Sequence, residues 1–182
     1  MSWLPKLPLR FARSIGVVVA LWVGVNASAR AEIKVGDLFP SLTDVGLVNL
    51  AGGEVPATAG QVVLVDFWAS WCAPCKASFP AMARLHQEFA GKGLVVTAIS
   101  VDEKAAAATA FWKRLAPPFA TLHDRELKLV KAVVVPTMPT SYLLARDGRV
   151  RYIHRGFRGD ATERELRQHL QILLAEKNAS AQ

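Results

Sequence analysis

Cysteine is scarce in this chain, with two among 182 residues, and the two stand three positions apart in Trp71-Cys72-Ala73-Pro74-Cys75. A disulfide closing so short a loop stabilises by only roughly 2 kcal/mol in the loop-entropy model, so a structural staple is a weak reason for the pair. Histidine is also sparse. His86, His123, His154 and His169 form no close-spaced pair, which leaves a four-ligand zinc site without its remaining ligands. Redox chemistry is therefore the favoured reading of the cysteines, ahead of a staple and of a metal site. The chain also lacks an internal repeat and a low-complexity linker.

Acidic residues are missing from the first 31 positions, where Lys6, Arg10 and Arg13 precede an apolar stretch from Ile15 to Val25. Small residues follow at Ala27-Ser28-Ala29 and Ala29-Arg30-Ala31. This three-part layout predicts a cleaved secretory signal peptide over residues 1–31. The stretch is about half the length a helix needs to cross a bilayer, so a membrane is a partner only if the leader stays uncleaved. Removing the leader leaves 18 basic against 15 acidic residues, a net +3, too mild to argue for nucleic acid. The expectation is a soluble, exported, periplasmic protein. Thiols tend to be oxidised there, and one close Cys pair suits a protein that handles the disulfides of others.

The remainder reads as a single domain. Residues 32–60, rich in Gly, Pro and Thr, suggest a small hairpin or extended lead-in. Gln61 to Trp68 and Leu94 to Val101 are nearly continuous apolar runs, as expected of strands covered on both faces. Cys75, Phe79, Met82, Leu85 and Phe89 recur at steps of three and four, marking a helix that Gly91 stops and Pro80 should kink. A second helix is expected from an Asp102 N-cap through Leu115, with Phe111 and Trp112 inward. Further elements are a strand at Phe119–Leu122, a short helix at Arg125–Ala132, and two strands, Ser141–Ala145 and Val150–His154. Between those strands, Asp147-Gly148 should supply the positive φ angles of a tight hairpin turn. A capping box of Thr162 with Glu165 opens the last helix, and 177–182 form a frayed tail.

Leu64-Val65-Asp66-Phe67-Trp68-Ala69-Ser70-Trp71-Cys72-Ala73-Pro74-Cys75-Lys76, followed by Pro80, resembles the active-site segment of the thioredoxin superfamily. Met138-Pro139-Thr140 resembles its cis-proline loop, and Asp147-Gly148 its β-hairpin. With the leader, an N-terminal extension and about one extra βα unit near Val95 to Leu115, the chain is similar to the exported TlpA-like and ResA-like thiol-disulfide oxidoreductases. The resemblance implies an α/β thioredoxin-like fold over residues 61–176: a central mixed β-sheet flanked by helices, with an N-terminal β extension and a central βα insertion. Two departures stand out. Ser78 occupies a position where that subgroup often carries an acid, and Asp66 sits in the strand as in thioredoxin itself.

The implied chemistry needs no cofactor beyond the redox-active Cys72–Cys75 disulfide. Cys72, at the first turn of a helix, would be the nucleophile because the dipole and free N–H groups favour thiolate. Cys75 would be the resolving thiol. Asp66, costly to ionise inside an apolar strand, should have a raised pKa and could carry the Cys75 proton; the plainer reading is a strand-end carboxylate reaching solvent. Pro139 is expected in a cis bond that puts the Met138 backbone where substrate can pair, the plainer reading being a trans proline at a strand start. Trp71, Ala73 and Pro74 would lie at the docking surface. His123 and His154 read as hydrogen-bonded or exposed residues rather than bases. Expected partners are proteins with disulfides or dithiols and a membrane or periplasmic electron donor. The alternative function is a copper metallochaperone holding Cu(I) on Cys72 and Cys75, with Met138 nearby.

Overall fold

The run Val62–Trp68 forms β2, and all seven of its residues are buried. That complete burial follows from its place in the sheet: β2 pairs in parallel with β3 (Leu94–Ser100) and antiparallel with β5 (Thr140–Leu144). The computed structural model describes Met1 and residues 32–176, so the leader, its cleavage site and the tail lie outside the described residues. None of the described helices is long and apolar enough to cross a membrane.

Among the described residues six strands make one mixed sheet in the order β1-β4-β3-β2-β5-β6, where β1 is Val48–Asn49, β4 Ala120–His123 and β6 Val150–Arg155. The helices are α1 (Ala73–Phe89), α2 (Ala105–Leu115), α3 (Lys128–Val133) and α4 (Asp160–Ala175). The crossovers β2-α1-β3 and β3-α2-β4 step the same way across the sheet. Right-handed connections therefore place both helices on one face. Aromatic contacts record this packing: Trp68 of β2 meets Phe79 of α1 edge-on at 5.4 Å and stacks on Phe111 of α2 at 4.6 Å. Side chains alternate along a strand, so Asp66 shares that face with Trp68, while Phe67 points to the other. There Phe67 meets Tyr142, which also packs against Phe39 of the N-terminal extension.

The extension is extended rather than a hairpin. It is pinned along the β5–β6 hairpin by Gly36 N–H to Val150 C=O, Val150 N–H to Asp37 C=O and Phe39 N–H to Gly148 C=O. It then adds β1 as a two-residue strand antiparallel to β4. Two βα units, β3-α2 and β4-α3, stand between α1 and β5, which accounts for the added length read from the sequence.

Several local expectations are corrected. Asp102 is not a cap: α2 starts after Lys104, which makes no side-chain cap bond, because the Asp102 carboxylate is engaged elsewhere. Trp112 is half-buried and only Phe111 is fully inward. The short helix begins at Lys128 rather than Arg125, since buried Asp124 accepts the N–H groups of Lys128 and Val130 and sets its start. Helix α4 begins at Asp160 after Gly159 at φ 62°, so Thr162 is not its N-cap; its hydroxyl oxygen instead accepts the Arg158 N–H. At the hairpin only Gly148 has positive φ. Bonds from Gly148 N–H to Ala145 C=O and from Ala145 N–H to Arg149 C=O close a three-residue loop with glycine in the left-handed position. Pro80 stands inside α1, as the sequence places it, and the helix runs on to Phe89.

Candidate active site

Where β2 ends, the chain turns through Ala69, Ser70 and Trp71 into α1. Cys72 N–H donates to Ala69 C=O, which shapes the turn. Cys72 is the N-cap of α1, extended at φ −87° and ψ 102°, and its Sγ accepts the Cys75 N–H at 3.2 Å. Pro74 sits in the first turn, where a missing N–H costs nothing. Cys72 and Cys75 are joined as a disulfide with a Cα–Cα separation of 5.3 Å. The two sulfurs are not equivalent. Cys72 is 5% exposed and Cys75 is fully enclosed, so an incoming group meets Cys72 first.

The residues around the disulfide divide into an outer rim and a buried floor. Trp71 is 72% exposed, and Ala73, Pro74 and Lys76 are also exposed. Beside Trp71 a hollow of about 320 Å³ opens between Ser70, Val101, Lys104 and Leu127. The Met138–Pro139 peptide bond is cis. Its loop is fastened on both sides: the Thr140 hydroxyl donates to Thr137 C=O at 2.7 Å, and Gly156 N–H donates to Pro139 C=O at 2.7 Å. Pro139 is buried and Met138 half-buried.

Asp66 belongs to the floor. It is fully buried on the α1 face of the sheet, the face onto which Cys75 and Phe79 also pack. Burial pushes its carboxyl up to about 7, opposed by a hydrogen bond from the Ser141 hydroxyl, while Oδ2 has no hydrogen-bond partner among the described residues. Asp66 is thus a buried acid rather than a strand-end carboxylate reaching water. Ser78 donates its hydroxyl to Cys75 C=O at 2.8 Å. This bond stays within the helix, and Ser78 brings no charge to the site.

Two contributions were missed in the sequence. Ser141 reaches Asp66 across 75 positions, joined only because β2 and β5 pair at Asp66↔Ser141. Asp102 accepts the Ser70 N–H at 3.0 Å and hydroxyls from Ser70 and Ser100 at 2.7 and 2.8 Å, tying the loop before Trp71 to the end of β3. His123 bonds the Asp102 carbonyl at 2.7 Å, and His154 bonds His169 at 3.0 Å, so both histidines are engaged structurally. Among the described residues no group of three His, Cys, Asp or Glu side chains gathers for a metal ion.

The family model described as Redoxin matches residues 34–170, three quarters of the chain. The chain belongs to the Redoxin family. It is similar to the thiol-disulfide oxidoreductase ResA of Geobacillus thermodenitrificans, at 29% identity over 92% of this chain and 96% of that one. ResA of Oceanobacillus iheyensis is 32% identical over 68% of this chain and 66% of its own length. Among solved structures, a candidate thiol:disulfide interchange protein DsbE from Chlorobium tepidum superposes with a TM-score of 0.69 at 33% identity, over 79% of this chain and all of that one. This Redoxin member is thus a thioredoxin-like thiol-disulfide oxidoreductase, with Cys72 and Cys75 as its redox couple.

Proposed function

We propose that this Redoxin member is an exported enzyme that reduces or exchanges disulfides in other proteins, with Cys72 attacking, Cys75 resolving and Asp66 moving the proton. The observation that carries this reading is the position of the disulfide at the N-cap of α1, with Cys72 outward and Cys75 enclosed on the face of the sheet that also carries the buried acid Asp66. A thiolate at Cys72 faces the Cys75 N–H and the positive end of the helix dipole, which favour the anion.

The reaction balances in two steps. Cys72 thiolate attacks one sulfur of a substrate disulfide; a Cys72–substrate S–S bond forms, the substrate S–S bond breaks, and the electron pair leaves on the other substrate sulfur. Asp66 carboxylate then takes the Cys75 proton as Cys75 sulfur attacks Cys72. The Cys72–Cys75 bond forms, and the second substrate sulfur departs as thiolate. Substrate gains two electrons and the enzyme is oxidised. An exported or membrane-held dithiol donor would restore it, and the reverse sequence would oxidise a substrate dithiol.

Trp71, Ala73 and Pro74 form the outer rim against which an extended substrate segment would lie, with the Met138 backbone before the cis bond as its pairing edge. Export rests on the leader in residues 1–31, and intact mass of the exported form starting near Glu32 checks it. Equilibration with glutathione and dithiothreitol tests the direction: a couple near about −270 mV supports a reductase, and one near about −120 mV makes the protein a disulfide donor.

A further inference from the structure

Asp66 lies in the middle of a central strand, and among the described residues the only hydrogen bond to its carboxylate comes from Ser141. The contact is built into the sheet. β2 and β5 pair antiparallel with Asp66 directly opposite Ser141, so both side chains leave the same face at the same level. Ser141 stands two residues after Pro139 and one after Thr140, whose hydroxyl fastens the cis loop. The strand that begins at the docking loop therefore also holds the buried acid.

We propose that Ser141 is a positioning residue for thiol exchange: its hydroxyl orients the Asp66 carboxylate and favours the ionised form able to accept the Cys75 proton. This rests on the reading of Asp66 as the proton carrier. A serine O–H donating to a carboxylate stabilises the anion. Burial opposes it, and the balance of the two leaves Asp66 near 7. Without the hydroxyl, both carboxylate oxygens would be buried with no donor.

Other titratable groups stand on the elements of this face, among them buried Glu163 of α4 with its partner Arg84 of α1. β3 places Ala98 opposite Asp66. α1 contributes Cys75 and half-buried His86, which packs against Phe119. β6 places His154 beside Ser141 on the far side from Asp66, and α4 supplies its neighbours His169 and Glu165. The influences on Asp66 are burial and Ser141.

The test compares wild type with Ser141→Ala and Ser141→Thr, full chain, in two readouts. Carboxyl NMR of oxidised protein should show the Asp66 midpoint about one pH unit higher in Ser141→Ala and near wild type in Ser141→Thr, which keeps the hydroxyl. The acid limb of the exchange rate against pH should move up equally. At pH 7 the alanine variant would be about fivefold slower, and at pH 9 nearly equal to wild type, from the ionised fractions at those midpoints. An unmoved Asp66 midpoint in Ser141→Ala, or failure of threonine to restore it, overturns the proposal. A moved midpoint with an unmoved rate profile overturns the proton-carrier reading of Asp66, and with it the role of Ser141 in the reaction; the two failures are thereby told apart.

Discussion

Replacing Asp66 by Asn should stabilise the protein most at alkaline pH, by less than half as much at pH 5, and not at all below the ordinary carboxyl range. Asp66 is fully buried, and its carboxyl stands at about 7 against an ordinary 3.8. A folded-state pKa raised on an acid means that the folded chain binds the proton more tightly than the unfolded one between those two values. Stability is then highest below 3.8, falls as pH rises, and levels off above about 7. A difference of about 3 pKa units at 1.36 kcal/mol each corresponds to roughly 4 kcal/mol of unfavourable ionisation at pH 8.5. Asparagine has the size of the protonated acid and no charge to bury. In a domain of this size, 4 kcal/mol corresponds to roughly 10 °C in melting temperature. Thermal melts of the oxidised proteins at pH 5 and pH 8.5 provide the assay. The difference between wild type and variant isolates Asp66, because every other titratable group is common to both proteins. Equal loss of stability at both pH values, or no pH dependence in the difference, would refute the buried-acid argument.

The same substitution should slow thiol exchange at neutral pH by about 10- to 100-fold, the usual contribution of a positioned acid or base, as read by an insulin-reduction assay. Glu163 is held well below the usual carboxylate range, at about 2, by the Arg84 and Arg167 guanidinium groups. Its contribution is present above pH 4.5 and is lost as pH falls toward 2. Glu163→Gln should therefore cost about 1 kcal/mol at pH 7 after solvent screening, with the difference closing in acid, measured by urea unfolding. Asp124→Ala removes the acceptor of two N–H groups at the start of α3 and should cost roughly 1–2 kcal/mol in the same experiment.

The elements that carry the dithiol were legible because their patterns are local. The seven-residue run of β2 is apolar but for Asp66, the stripe from Cys75 to Phe89 keeps a helical period, and every residue of both is buried. Cap positions were less legible. Asp102 and Thr162 have the right chemistry for helix N-caps, but Asp102 gains more hydrogen bonds from Ser70 and Ser100, and Gly159 turns the chain before Thr162 is reached. A side chain able to cap is also able to serve a distant loop, and only tertiary structure decides between them. The partner of Asp66 was hidden for a related reason: strand alternation marks Ser141 as inward or outward, but not which strand lies beside it. The extension escaped a definite reading because it borrows its order from the β5–β6 hairpin rather than from its own sequence.

Trapping the mixed disulfide tests the division of labour between the two cysteines most directly. Cys75→Ser should accumulate a covalent adduct with a disulfide-bearing protein through Cys72, located by mass spectrometry after proteolysis, and Cys72→Ser should form none. An adduct at Cys75 in the Cys72→Ser protein, at a rate comparable with that of Cys72 in the Cys75→Ser protein, would contradict the assignment of Cys72 as the attacking sulfur.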